Sequence, residues 1–243
     1  METLNLDLSP DEVKGVLGFI GYGNTSSAEV WFIGFEEGLA GMTSEDKIKN
    51  LKTRGSFDDV MDLYEAHLRL QQGGQPINIE LKTPSTPVWQ YMAKIMLARS
   101  GDETWPSKLS YIPYIRQNLG RRNQKTFLTE LSPIPAGGIA DTSWRAEFER
   151  LETHLTDKIQ TRADKLKRIL KASNPHPLVI CYGLGKREEF AKLLDVDWMP
   201  ISPGRVFASH DFKYLLLPFF GTGQIGHRDI EMALLRIPVE VGQ

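Results

Sequence analysis

Strand-like apolar runs alternate with amphipathic helical stretches four times along the 243 residues, which predicts an α/β fold. The expected form is a three-layer αβα arrangement around a four-stranded parallel sheet. The connections between the runs are long enough to hold a helix, and right-handed crossovers through such helices make the strands parallel. Each run also stops at Gly, Ser or Pro, as strands do where they meet loops at the ligand edge of such a sheet. No internal repeat, low-complexity run or linker divides the chain, so residues 1–243 are expected to form a single domain with one core.

The chain opens with Ser9-Pro10-Asp11-Glu12, a capping-box pattern with Pro at the first helical position, and the helix is expected to reach about Leu17. A Gly-rich passage, Gly21-Tyr22-Gly23-Asn24, leads into the first strand at about 29–34. Its core, Val30-Trp31-Phe32-Ile33-Gly34, reads as buried on both faces. Thr43-Ser44-Glu45-Asp46 starts a second helix. Ser56-Phe57-Asp58-Asp59 starts a third, with Val60, Leu63, Tyr64, His67 and Leu68 at helical spacing. His67 on that stripe reads as a packed, hydrogen-bonded residue before it reads as a ligand.

Gly73-Gly74-Gln75-Pro76 breaks the pattern and a loop follows to Pro84. Thr86 and Pro87 begin a helix with Val88, Tyr91, Met92, Ile95 and Met96 on its apolar stripe. Residues 101–120 read as irregular, with a short helix at 114–119. Thr126-Phe127-Leu128-Thr129-Glu130-Leu131 is the second strand, leaving through Ser132-Pro133-Ile134-Pro135-Ala136-Gly137-Gly138. One long helix is expected over 143–171, ended by Asn174-Pro175-His176-Pro177. The third strand is 178–182, and Gly183-Leu184-Gly185-Lys186 turns at once into a helix through Leu194. The fourth strand, Tyr214-Leu215-Leu216-Leu217, precedes a Gly-rich loop and a last helix with Ile230, Ala233, Leu234 and Ile237 on one face.

With 41% hydrophobic and 25% charged residues and no long apolar run, the composition is that of a soluble protein without a membrane partner. The N-terminus lacks the basic and apolar regions of a signal peptide, so a cytoplasmic location is expected. The single cysteine, Cys181, excludes an internal disulfide and a cysteine-based metal cluster, and its apolar neighbours mark it as a core thiol. A net charge of −2 gives no global basic field. A compact basic face remains open: Arg116, Arg121, Arg122 and Lys125 fall together, as do Lys158, Arg162, Lys165, Lys167, Arg168 and Lys171. The second set reads as the solvated side of one helix.

Glu36 and Glu37 follow the first strand, where the ligand crevice of a parallel sheet lies. The plainer alternative is that they solvate a turn. The join Tyr182-Gly183-Leu184-Gly185-Lys186 offers backbone N–H groups to an anion, but lacks the spacing of a nucleotide fingerprint.

Taken in order, Ile33-Gly34-Phe35-Glu36-Glu37-Gly38, Thr129-Glu130-Leu131-Ser132-Pro133, Val179-Ile180-Cys181-Tyr182-Gly183 with Phe190 and Leu194, and Leu217-Pro218-Phe219-Phe220-Gly221 through Ile225 resemble the successive motifs of the uracil-DNA glycosylase superfamily. The resemblance spans about residues 28 to 237. The His-Pro-Ser segment common in that family after the fourth strand is replaced here by Phe219-Phe220-Gly221, and the proline of the first motif by Glu37.

What the resemblance implies is a monofunctional DNA glycosylase that flips a pyrimidine-type base, hydrolyses its bond to the sugar and leaves an abasic site, in base excision repair or antiviral defence. The altered motifs point to a damaged base, or a modified cytosine of phage DNA, more than to plain uracil. No metal or organic cofactor is implied; the expected partner is DNA, and the expected state a monomer. Breaking the N-glycosidic bond builds positive charge on the sugar and negative charge on the base, so a carboxylate is wanted near the sugar or water.

Glu36 is the first candidate, with one of Glu36 and Glu37 facing in and the other out. Glu130 is the further acid, unless it pairs with a nearby Arg. Gly34, Phe35, Ser132, Phe219 and Phe220 are expected around the base. Phe57 is either the aromatic on which the base stacks or a core residue. Backbone groups of Gly221, Thr222 and Gly223 are placed to hold phosphate, with Lys186 as an anion partner. Ile225 would fill the gap in the duplex from the loop tip, and Gln224 or His227 would replace the missing donor, His227 being otherwise a surface residue. Two other readings stand: a catalytically inactive nucleic-acid-binding module of the same fold, and a hydrolase or transferase acting on a free nucleoside or nucleotide.

Overall fold

The computed structural model describes residues 6–38, 42–74, 86–135, 142–173, 176–202 and 204–235. The chain is α/β. Its strands are β1 (Gly21–Gly23), β2 (Val30–Gly34), β3 (Val60–Met61), β4 (Thr126–Glu130), β5 (Leu178–Tyr182), β6 (Met199–Ser202), β7 (Val206–Ala208) and β8 (Tyr214–Leu217), joined in one sheet in the order β3-β1-β4-β2-β5-β8-β7-β6. The expected four-stranded parallel sheet is therefore corrected to an eight-stranded mixed one. The expected strands are its middle, β4-β2-β5-β8, where every neighbouring pair is parallel.

What the sequence hid are the flanks. Gly21 and Gly23 read as loop, yet β1 pairs antiparallel with β4. A Cβ on Gly21 would stand 2.2 Å from the Leu128 carbonyl oxygen, so glycine is there to let the two backbones approach. β6 carries Pro200 and a register shift, features confined to sheet edges and bulges, and β7 runs only three residues.

Alternation along the strands sorts their side chains onto two faces. Val30, Phe32, Leu128, Ile180, Leu215 and Leu217 join the core on one face. It is covered by α3 (Leu63–Gln72), α4 (Pro87–Arg99), α5 (Lys108–Gln117) and α9 (His227–Leu234). Trp31, Ile33, Phe127, Val179, Cys181 and Leu216 face the other way, onto α7 (Leu155–Ala172) and α8 (Arg187–Leu194). A satellite cluster joins α1 (Pro10–Gly18), α2 (Ser44–Arg54) and α7 through Val13, Val16, Leu51 and Leu155, with Phe148 of α6 (Thr142–Leu151). Cys181 is a fully buried core thiol, and burial pushes its ionisation well above the usual thiol range.

Three helix expectations need correction. The helix expected from Ser56 starts at Leu63, because Asp62 accepts the N–H groups of Tyr64 and Glu65 while Val60 and Met61 pair with β1. The helix expected over 143–171 is two, α6 and α7, separated where the Glu152 carboxylate accepts the His154 N–H at 3.1 Å. The helix expected at 114–119 is α5, which begins at Lys108, capped by Ser107, whose hydroxyl accepts the Leu109 N–H, and includes Pro113. The Gly183 turn leads through one 3-10 turn (Leu184–Lys186) into α8. Most of the loop expected before Pro84, together with 136–138, 174–175 and Ile237, lies outside the described residues. Among those described, no helix is long and apolar enough to cross a membrane.

Candidate active site

Because β4, β2, β5 and β8 are parallel, their carboxyl ends open on one edge of the sheet. A cavity of about 520 Å³ lies there, lined by Glu36 and Glu37 after β2, Glu130 and Ser132 at the end of β4, Tyr182 ending β5, and Phe219, Phe220 and Gly221 after β8. Two backbone bonds join the first pair of strand exits: Leu131 N–H donates to the Gly34 carbonyl at 2.9 Å and Ser132 N–H to Phe35 at 2.7 Å. Those bonds hold the acids of β2 beside that of β4.

Both Glu36 and Glu37 line the cavity, against the expectation that one would face out. Arg54, the last residue of α2, removes the conflict for Glu37. Its Nη2 donates to Glu37 Oε1 at 2.6 Å, its Nη1 to the Tyr22 hydroxyl at 3.1 Å, and its Nε to Asn50 Oδ1 at 2.6 Å. The Tyr22 hydroxyl in turn donates to Glu37 Oε2 at 3.2 Å. Burial alone would raise the Glu37 carboxyl, but the charge and hydrogen bond of Arg54, helped by His67 and Tyr22, outweigh it and hold the group below the usual carboxylate range. Glu37 is thus an ionised, fixed charge.

Glu130 has the opposite character. Burial raises its carboxyl to about 8, opposed by the Tyr182 hydrogen bond and Arg162 and reinforced by the charges of Glu37 and Glu36. At neutral pH it is a protonated acid beside an ionised one, the separation of roles that acid–base chemistry needs. Tyr182 Oη donates to its Oε1 at 2.6 Å, while Oε2 is sealed from solvent with no partner among the described residues. The expected alternative, an Arg partner for this carboxyl, is not what is found: the Arg162 guanidinium donates to the backbone carbonyl of Glu130 and to those of Phe19 and Ile20. That also corrects the reading of Arg162 as a solvated helix residue, since it is only 5% exposed and burial lowers it to about 10.

The opposite wall comes from α3 and α4. His67 Nδ1 lies 2.7 Å from the Leu63 carbonyl, which can only accept, so in the neutral ring Nε2 is the acceptor. Burial lowers its pKa and favours that neutral form. Its ring stands edge-on to Trp89 at 4.8 Å, and both line the cavity. Tyr182 stacks on the buried Phe220 at 4.6 Å and 12°, whereas Phe219 is 43% exposed and borders the cavity.

Other expected site residues lie elsewhere. Gly34 sits beneath the acids: a Cβ there would be 1.9 Å from Glu130 Oε2 and 2.4 Å from the Tyr182 hydroxyl. Phe35 packs toward the other face with the Lys186 ammonium 3.9 Å over its ring, and Lys186 is paired with Glu189 at 3.0 Å. Phe57 is the core residue, buried against Phe19 with ring centres 5.5 Å apart. Ile225 is corrected from a loop tip to the core, where it is 4% exposed. The N–H of Gly221 is used by the Phe219 carbonyl, Gln224 donates back to Gly221, and its own carbonyl accepts from Arg205 at 2.6 Å. Thr222 and Gly223 are exposed, and Gly223 takes φ +75°, a value that suits glycine. His227 lies on the surface with its ring against Trp105.

Sequence reasoning missed Arg54, Tyr22, Trp89, Tyr182 and the cavity position of His67. A signal existed for Arg54: it shares the buried stripe of α2 with Asn50 and Leu51, and a cation on an apolar stripe requires a buried partner. Searched against family models, curated proteins and solved structures, the chain has no match.

Proposed function

We propose that the protein is a monofunctional DNA glycosylase acting on a damaged or modified pyrimidine-type base. One observation carries the reading: Glu37 fixed by Arg54, Glu130 bonded to Tyr182, and Glu36 share an aromatic-walled cavity at the ends of four parallel strands. Trp89, Tyr182 and Phe219 among the lining offer aromatic faces to a flat base, and a cavity of about 520 Å³ is larger than an unsubstituted base needs. Glu36 is the group that would take a proton from the attacking water, and Glu37, fixed by Arg54, would balance the positive charge that develops on the sugar. The resemblance of the strand exits to the uracil-DNA glycosylase motifs supports the same fold family and chemistry.

A second reading, a hydrolase of free nucleosides or nucleotides, is favoured by the ion pairing of basic residues: Arg121 with Asp62 at 3.2 Å, Lys186 with Glu189 at 3.0 Å and Lys125 with Glu29 at 2.6 Å. Those pairs leave fewer cations for phosphates. DNA carrying uracil, hypoxanthine, hydroxymethylcytosine or glucosylated cytosine is incubated with the protein and then cut with alkali, beside the matching free nucleosides. Strand cleavage at one modified base supports the glycosylase; release from nucleosides alone moves the assignment to the second reading.

A further inference from the structure

The wall opposite the strand ends holds a polar atom that the proposed chemistry does not use, Nε2 of His67. Nδ1 of that ring lies 2.7 Å from the Leu63 carbonyl, one turn earlier on α3, and a carbonyl only accepts. The ring proton of the neutral form therefore sits on Nδ1, and Nε2 presents a lone pair. Because Nδ1 is drawn back to its own helix, Nε2 lies on the far side of the ring from the α3 backbone. The residue is half-buried, and Nε2 has no partner among the described residues. The polar atoms sealed from solvent without a partner are Trp31 Nε1 and Glu130 Oε2; His67 Nε2 is neither, so it is open. What it opens on is the cavity. The groups around the ring are Tyr22, with ring centres 6.3 Å apart, Trp89 at 4.8 Å, and the charges of Glu37 and Arg54, and all four line the same space as His67. The polar ones are committed elsewhere: Arg54 donates to Glu37, Tyr22 and Asn50, and the Tyr22 hydroxyl donates to Glu37. The donor that can meet this lone pair belongs to a ligand.

We infer that His67 Nε2 accepts an N–H of the bound base, and that the site therefore takes bases altered on carbon that keep a free amino or ring N–H, in preference to N-alkylated bases. The inference rests on the glycosylase reading and narrows it. A carbonyl oxygen or a fully alkylated nitrogen turned to this atom would leave the lone pair unpaired among aromatic rings. A site built around one such bond rejects the analogue that lacks the donor. The acceptor is fixed before a ligand arrives, since the Leu63 bond sets the ring's tautomer and the edge contact with Trp89 sets its plane. Burial outweighs the Leu63 bond and the charge of Glu37 and, with Arg54, holds the ring below the usual histidine range, so the lone pair is present at neutral pH. The acids at the strand ends are then left to the sugar and the water, and the helical wall reads the base.

The test titrates the protein, labelled with nitrogen-15 in its histidine rings, with two pairs of free bases. One pair is 1-methylcytosine and its dimethylamino analogue; the other is 1-methyluracil and its ring N-methyl analogue. The 1-methyl group stands where the sugar is attached, and the second member of each pair has lost every N–H. The expected spectrum of the free protein shows the His67 proton on Nδ1, and the first member of each pair shifts the Nε2 resonance on binding. The second members bind about tenfold more weakly and leave that resonance in place. His67→Phe, which keeps a ring of similar size on α3, binds both members of a pair alike. A proton on Nε2 in the free protein, equal binding within the pairs, a preference that persists in His67→Phe, or no binding of any of the four overturns the inference. Strand cleavage at a modified base in the alkali assay then leaves the glycosylase standing. A preference that depends on His67, with no base released from any DNA, keeps the acceptor and overturns the glycosylase reading. The wild-type spectrum and the two pairs decide the matter even where the variant does not fold.

Discussion

Arg54 concentrates the energetics of the site in one side chain. It is buried, and its three donating nitrogens reach Glu37, Tyr22 and Asn50. Removing one partner of such a pair leaves an uncompensated charge, so Arg54→Ala is expected to cost about 3 kcal/mol in denaturant unfolding. Arg54→Lys should recover only part of this, since one ammonium cannot reproduce the planar fork. The two carboxyls give stability opposite dependences on pH. Glu37, whose pKa is lowered by folding, contributes above the usual carboxylate range and loses its contribution as pH falls through the lowered value. Glu130, raised from 4.5 to about 8, contributes fully below 4.5 and loses its contribution as pH rises through about 8. The melting temperature should therefore decline toward both ends of the scale, and Glu130→Gln should flatten the alkaline side. At this scale the sequence named the acids and could not give their protonation. That depends on Arg54, 17 residues from Glu37 in sequence, and on the burial that folding imposes on Glu130.

Among the elements, the legible ones were those whose pattern repeats locally. β2, β5 and β8 are continuous apolar runs, β4 is a β-prone run built on Phe127 and Leu128, and the caps of α1 and α2 are written in Ser9 and Thr43. The strands that escaped are β1, β3, β6 and β7, two to four residues each: β1 carries glycine and β6 proline, which imitate loop, and Val60 of β3 falls on a stripe with helical spacing. Glycines at element contacts make separate predictions. A Cβ on Gly15 would stand 1.9 Å from the Gly55 carbonyl oxygen, where α1 meets the end of α2, so Gly15→Ala should lower stability by about 2 kcal/mol without altering the cavity. Gly34→Ala instead strikes Glu130 and the Tyr182 hydroxyl, and should abolish activity by displacing both, whatever it does to the unfolding midpoint. The contrast is read by measuring both variants for melting and for base release.

For the molecule as a whole, topology does what no single stretch of sequence records: four parallel strand ends deliver the acids and aromatics, and α2, α3 and α4 close over them with Arg54, His67 and Trp89. The place of the cavity was legible because the carboxyl ends of parallel strands line a crevice; its opposite wall was not, because His67 reads as an ordinary packing residue and Trp89 lies outside the apolar stripe of its helix. The charge balance of −2 also carries a prediction. DNA binding should weaken with salt less steeply than for a basic-faced protein, with a slope set by a few phosphates, as titrations at several salt concentrations would measure. The most direct test of the account is chromatographic measurement of free base released from DNA by the wild type and by Glu36→Ala. The account predicts release matched one for one by abasic sites, and a loss of about 100-fold or more in the variant. No base released by the wild type, or undiminished release by Glu36→Ala, would contradict it.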